Sequence, residues 1–187
     1  MKFYLLGVLF MCSSTFLFAQ QKPTDLDKSP MDVSYCPNNF PILKMSGKSS
    51  DNPIARILYS RPQKANRTIF GGIVKYNEVW RLGANEATEI DIYEKVKING
   101  NTLHKGRYSM YCIPSENKWT IIFNSEKDIW GVAYNSKKDV LRVDVNVENN
   151  TEEVEALTMY FDSSKNKYIL NILWDKLKVS IPFTSSK

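Results

Sequence analysis

The sequence predicts an all-β chain, an antiparallel β-sandwich with jelly-roll-like or barrel-like closure as its variant. Three observations lead there. From Pro41 onward apolar residues recur with a period of two. The alternating runs number about nine or ten, short and evenly spaced between turn signals. No stretch sustains a helical period. Strands patterned this way bury their apolar faces by stacking two sheets or by curling one sheet on itself.

The elements follow in order. Pro41–Met45 and Ile54–Ser60 are expected to form a first hairpin across the polar loop 46–53. In Thr88–Tyr93, Ile90 and Ile92 take one face while Glu89 and Asp91 take the other. Val96 and Ile98 continue to Asn99-Gly100, a pair suited to a tight turn with positive φ. Tyr108, Met110 and Cys112 alternate with Arg107, Ser109 and Tyr111, which places Tyr108 in the core and exposes Tyr111. Trp119–Phe123 is apolar on both faces apart from Thr120, as a central strand would be. Leu141–Val147 and Leu157–Phe161 alternate cleanly. The chain closes with Tyr168–Trp174, a turn at Asp175-Lys176 and Leu177–Phe183, where Pro182 points to an edge or a bulge. Trp119, Trp130 and Trp174 lie in or beside strands and are expected in the core.

The ends divide the chain further. Lys2 precedes an apolar run from Phe3 to Met11, and Phe16-Leu17-Phe18-Ala19 follows, so residues 1–19 read as a secretory signal peptide. The run is too short for a spanning helix, and Met11 before Cys12 argues against lipid attachment. Residues 20–41 read as a polar, Pro-rich leader with little regular structure, although Tyr35-Cys36 and Phe40 are apolar enough to dock. Residues 42–187 then form a single β-sandwich domain. The expectation is an exported protein, periplasmic or extracellular.

Composition narrows the function. The formal net charge of +5 is modest and both signs are interspersed. Nucleic-acid binding needs a basic stripe with aromatics on one face, and none is present. One histidine and no Cys-x-x-Cys leave no metal site, and no Gly-rich loop precedes a helix to hold a nucleotide. No cofactor is called for. Cys36 and Cys112 would survive signal cleavage, an even count that permits a disulfide in an oxidising compartment.

Residues 60–88 concentrate arginines, glycines, a tryptophan and acids in a weakly periodic segment. Arginine offers a planar fork that meets a carboxylate or phosphate in two hydrogen bonds. Arg61, Arg67, Trp80, Arg81, Asn85 and Glu86 are therefore the candidate polar cluster, and it has two readings. In one, Glu78 and Glu86 neutralise the arginines, Trp80 plugs the end of the sandwich, and the network pins a long loop. In the other, the same groups bind a small polar ligand or a saccharide, with Trp80 as a flat plate. A hydrolase using Glu86 with Glu78 or Asp91 is the catalytic alternative, its mechanism set by a carboxylate separation that spacing does not give. An envelope module that recognises protein through an exposed strand edge is the other alternative. His104, alone in a polar turn, lacks partners for nucleophilic catalysis.

The run Ser60-Arg61-Pro62, Arg67-Thr68-Ile69-Phe70-Gly71 and Glu78-Val79-Trp80-Arg81-Leu82-Gly83-Ala84-Asn85-Glu86-Ala87-Thr88 resembles the hallmark of an exported bacterial family. That family is catalogued only as a domain of unknown function, number 2911 of its series. The likeness continues through Lys105–Ser109, Ile113-Pro114, Trp119–Asn124, Trp130-Gly131, Asp139–Val143, Val154-Glu155, Trp174 and Pro182, over roughly residues 54–183. It implies a secreted or periplasmic β-rich domain with no established activity. Cys112 stands where similar proteins more often carry a threonine or another uncharged residue, so the resemblance implies no family-wide disulfide.

Overall fold

The computed structural model describes residues 24–49, 52–165 and 167–185. The expected signal peptide lies outside the described residues. Nine strands follow the chain as β1 (Met31–Cys36), β2 (Ala55–Ser60), β3 (Thr88–Ile92), β4 (Val96–Ile98), β5 (Asn101–Leu103), β6 (Gly106–Pro114), β7 (Lys118–Asn124), β8 (Asp139–Ser164) and β9 (Lys167–Ser185). They join in one antiparallel sheet ordered β1-β2-β3-β6-β7-β8-β9-β4-β5, which is not closed into a barrel. The expected all-β, sandwich-like class is what the chain adopts.

Two long strands make the layers. β8 pairs with β7 through Asn146 and with β9 from Val147 onward, so one strand serves both halves of the sheet. Its second half returns over β2: the Tyr59 hydroxyl donates to Met159 O, and Leu157 N donates to Pro62 O. Register shifts near Val154 and Thr158 supply the irregularity that lets so long a strand bend. The sequence reading divided β9 at Asp175-Lys176, but no turn forms there. Asp175 takes a positive φ of 56° inside a continuous strand, opposite Val154. A left-handed residue within a ladder bends a strand without ending it.

The alternating residues fill the space between the layers as expected. Ile57, Ile90, Tyr108, Met110, Cys112, Trp119, Ile121 and Phe123 face Met159, Phe161, Leu170, Ile172 and Val179 within one core. The Asn99-Gly100 hairpin forms with φ of 47° and 79°. Pro182, with no N–H to give, falls between the end of the β8 register at Val179 and the start of the β4 register at Phe183.

The first hairpin differs from expectation. Residues 40–45 form a short helix, α1 (Phe40–Met45), with Pro41 in its first turn, where a missing N–H costs nothing. The partner of β2 is β1, from the segment expected to carry little regular structure. Six alternating residues, Met31 to Cys36, were masked by the prolines around them. Cys36 and Phe40 dock as expected, with the Tyr35 and Phe40 rings 6.1 Å apart.

Cys36 and Cys112 are both free and buried. The registers explain why. Cys36 lies level with Ala55, Ile92 and Gly106, three strands away, and Cys112 stands further along β6 from that glycine. With strands about 4.8 Å apart and about 3.3 Å per residue, the thiols stand about 24 Å from each other. No disulfide spans that.

Candidate functional site

The segment between β2 and β3 crosses the mouth of the sandwich. Ile69 and Val74 are buried and anchor it, and Phe70 N-terminal to the turn bridges Val74. Further on, Trp80 exchanges both backbone hydrogen bonds with Cys112: Trp80 N donates to Cys112 O at 2.7 Å, and Cys112 N to Trp80 O at 2.8 Å. Paired residues of an antiparallel ladder share a face, and neighbours alternate. Trp80 therefore points inward with Cys112, and Arg81 points to the outer face.

That alternation divides the predicted cluster. Trp80 stacks on Trp174 with centroids 5.9 Å apart and 21° between planes, and meets Trp119 and Phe70 edge-on. Its Nε1–H donates to Gly83 O at 3.1 Å. It is a member of an aromatic core, not a solvated plate.

Arg81 sits against the opposite side of the same sheet. Its neighbour there is Tyr111, which is 0% exposed where the sequence reading left it in solvent. The loop 125–135 covers that face. Tyr134 packs edge-on to Tyr111 at 4.9 Å, Ile129 O accepts from Ala87 N, and Ser109 Oγ donates to Glu126 O at 2.7 Å. Burial pushes the Tyr111 phenol pKa up, Glu126 and Asp139 push the same way, and the Arg81 charge opposes them. A loop packed over a strand face is a tertiary event that alternation within the strand does not record.

The turn after Arg81 is tightly pinned. Leu82 is buried with φ 55°, a left-handed conformation that is uncommon for a bulky residue. Thr88 Oγ1 donates to Leu82 O at 2.7 Å, and Thr88 N donates to Arg81 O. Ser60 Oγ donates to Ala84 O and accepts from Ala84 N. Gly83 must be glycine because a Cβ there would stand 2.7 Å from Ser60 Oγ. Asn85, also left-handed at φ 59°, serves the turn.

These restraints fix one wall of an open cleft of about 300 Å³. Arg81 and Trp80 line it with Ile73, Val74, Lys75, Glu78 and Val79 on one side and Gly131 and Val132 on the other. Gly131 has φ 79°, and a Cβ there would come within 3.0 Å of Arg81 Cδ, so the loop lies directly on the arginine stem. Arg81 Nε is wholly buried and finds no hydrogen-bond partner among the described residues. Lys75 and Glu78 approach only to 3.8 Å at the exposed rim.

The predicted neutralising network does not form. Arg61 is tied to Asp32 at 3.0 Å, Leu157 O and Thr158 Oγ1. Arg67 is exposed and donates to the carbonyls of Lys64 and Gln63. Neither meets Glu78 or Glu86. The candidate acids are equally dispersed: Glu78 is at the cleft, Asp91 pairs with Arg56 at 2.6 Å, and Glu86 lines a separate groove with Met31, Leu58 and Ile129. No two of these three face each other across one opening, so Glu86 is not paired with Glu78 or Asp91; the acids that share its groove are Glu89 and Asp128. Among the described residues no group of three or more His, Cys, Asp or Glu could hold a metal.

Sequence reasoning missed the opposite wall. Trp130, expected in the core, is 56% exposed, and Val132 beside it is 70% exposed. The signal available was the Trp130-Gly131 pair within the family likeness. Lys75, Ile73 and Val79 offered none beyond their position in the segment.

The profile of the family described as "Protein of unknown function (DUF2911)" matches residues 44–183. The chain belongs to the DUF2911 family. The DUF2911 match takes in both walls of the cleft and leaves β1, with Asp32, outside it. No curated protein and no solved structure matches the chain. No helix among the described residues is long and apolar enough to cross a membrane.

Proposed function

We propose that this DUF2911 protein is an exported, non-catalytic binding module that takes a small polar ligand in the cleft over Arg81. The reading rests on one observation: Arg81 borders an open cleft, and its buried Nε–H has no acceptor among the described residues. A guanidinium stays charged at any ordinary pH, and buried donors are nearly always paired. An acceptor on a ligand would meet the part of the half-buried Arg81 side chain that the cleft exposes, since the wholly buried Nε–H is closed to it. The pinned turn at 82–88 and the glycine contact at 131 favour the same reading, since they hold the arginine in place before anything binds. The charged start and apolar run of residues 2–19 support the exported part of the reading.

The test is a thermal-shift screen of the native protein and of Arg81→Ala against a panel of organic acids, phosphates and saccharides. A ligand that raises the melting temperature of the native protein and leaves Arg81→Ala unmoved supports the reading. If the variant binds as well as the native chain, the cleft is not the site. If Arg81→Ala alone lowers the melting temperature strongly and nothing binds the native protein, Arg81 is a fold element.

A further inference from the structure

Resting on that reading of the cleft, we infer that its ligand is a monocarboxylate with a compact apolar body rather than a neutral saccharide. Three features of the walls carry the inference.

The first is what Trp80 lacks. A sugar is gripped by an aromatic ring laid against its C–H face. One face of Trp80 is taken by Trp174, and Trp119 and Phe70 meet it edge-on. Trp80 is half-buried, so the cleft meets only part of an indole already stacked on one face.

The second is what surrounds Arg81. Ile73, Val79 and Val132 are all exposed large apolar side chains, and all three line this one opening. Exposed apolar residues gathered around a concavity mark a surface that gains by losing water. A hydroxylated ring would lay its polar edge on these side chains and forfeit hydrogen bonds. A branched aliphatic or aromatic body would displace water from them at no such cost.

The third is the charge count. Lys75 and Glu78 stand together at the rim and offset each other. That leaves Arg81, which forms no ion pair among the described residues, to be matched by one anionic group. Its planar fork suits a carboxylate in two parallel hydrogen bonds. The small volume of about 300 Å³ sits at the low end for ligand sites and suits a compact acid.

The experiment is titration of the native protein by calorimetry and ligand-observed NMR with 4-methylvalerate and phenylacetate, their primary amides, glucose and galacturonate. The acids are expected to bind and the amides to lose at least about tenfold in affinity, since the amide keeps the body and drops the charge. Arg81→Ala should abolish binding. Val132→Asp, at a solvent-exposed position where folding is not at stake, should weaken the acids by about tenfold or more. Lys75→Ala should leave them unchanged. Binding of glucose or galacturonate that depends on Arg81, with no binding of the aliphatic acids, overturns this inference and leaves the cleft as the site. Binding indifferent to both Arg81→Ala and Val132→Asp, or no binding by any probe, overturns both.

Discussion

Arg61 Nη1 lies 3.0 Å from Asp32 Oδ2, and through that contact the first arginine of the family segment is fastened to the outermost strand of the sheet. Asp32 does more than neutralise it. The same carboxylate oxygen lies 3.3 Å from the Tyr59 hydroxyl, sharing its proton with Met159 O, and Oδ1 accepts from Val33 N at 2.8 Å. An edge strand carries free N–H groups that invite pairing with another chain. Occupying the Val33 N–H with a side chain on the same strand blunts that edge, which weighs against strand addition as the protein's mode of recognition.

Asp32→Ala should therefore destabilise the fold by about 1 kcal/mol, because the pair is half exposed and solvent screens it. In a double-mutant cycle with Arg61→Ala, urea unfolding should give a coupling of about 0.5–1 kcal/mol. Exact additivity would mean the two residues do not communicate. The single variant should also show more self-association on sizing columns than the native protein.

Trp80→Ala removes one ring from a four-ring aromatic cluster with Phe70, Trp119 and Trp174. Loss of a large core side chain costs about 3–5 kcal/mol. A melting temperature unchanged by this substitution would contradict its place in the core and reopen the ring as a binding plate.

Gly83→Ala places a methyl group 2.7 Å from Ser60 Oγ, where the serine is already held by both hydrogen bonds to Ala84. Overpacking of this kind costs about 1–3 kcal/mol. Ser60→Gly should relieve part of it. The double variant is expected to be less destabilised than the sum of the two singles, and simple additivity would argue that the close approach is not the cause.

Stability should decline in alkali through the cysteines. Burial, with Glu94 nearby, pushes the Cys36 thiol from 9.0 to about 12, and burial pushes Cys112 well above its ordinary value. The folded state thus keeps protons that the unfolded chain gives up, so the contribution is complete below pH 9.0 and is lost as pH climbs toward 12. Tyr134 acts in the same direction, raised from 10.0 to about 12 by burial and by its hydrogen bond to Asp139. The urea midpoint should fall between about pH 8 and about pH 10.5, and fall less in Cys36→Ala. Iodoacetamide should leave both thiols unlabelled in the native protein and label both after denaturation, as mapped by peptide mass spectrometry. Rapid native labelling of either would refute the burial.

The period-two pattern was enough to give the class, the central strand Trp119–Phe123 and the inward set Tyr108, Met110 and Cys112, because alternation is a local property written in every run. It failed for Phe40–Met45, where six residues cannot separate a strand from a helical turn, and for Met31–Cys36, hidden among prolines. It also divided β8 and β9 into shorter pieces, since a bulge and a turn use the same residues.

The site was legible as a segment and not as an arrangement. Residue order alone determined that arginines, glycines and Trp80 would gather in one insert between β2 and β3. Only tertiary structure decided which face was which: the bridge to Cys112 turned the indole into the core and the guanidinium into the cleft, and the loop 125–135 closed over Tyr111 to build the far wall. The physical reason is that alternation fixes the relative direction of neighbours, while burial depends on what distant chain is laid across each side.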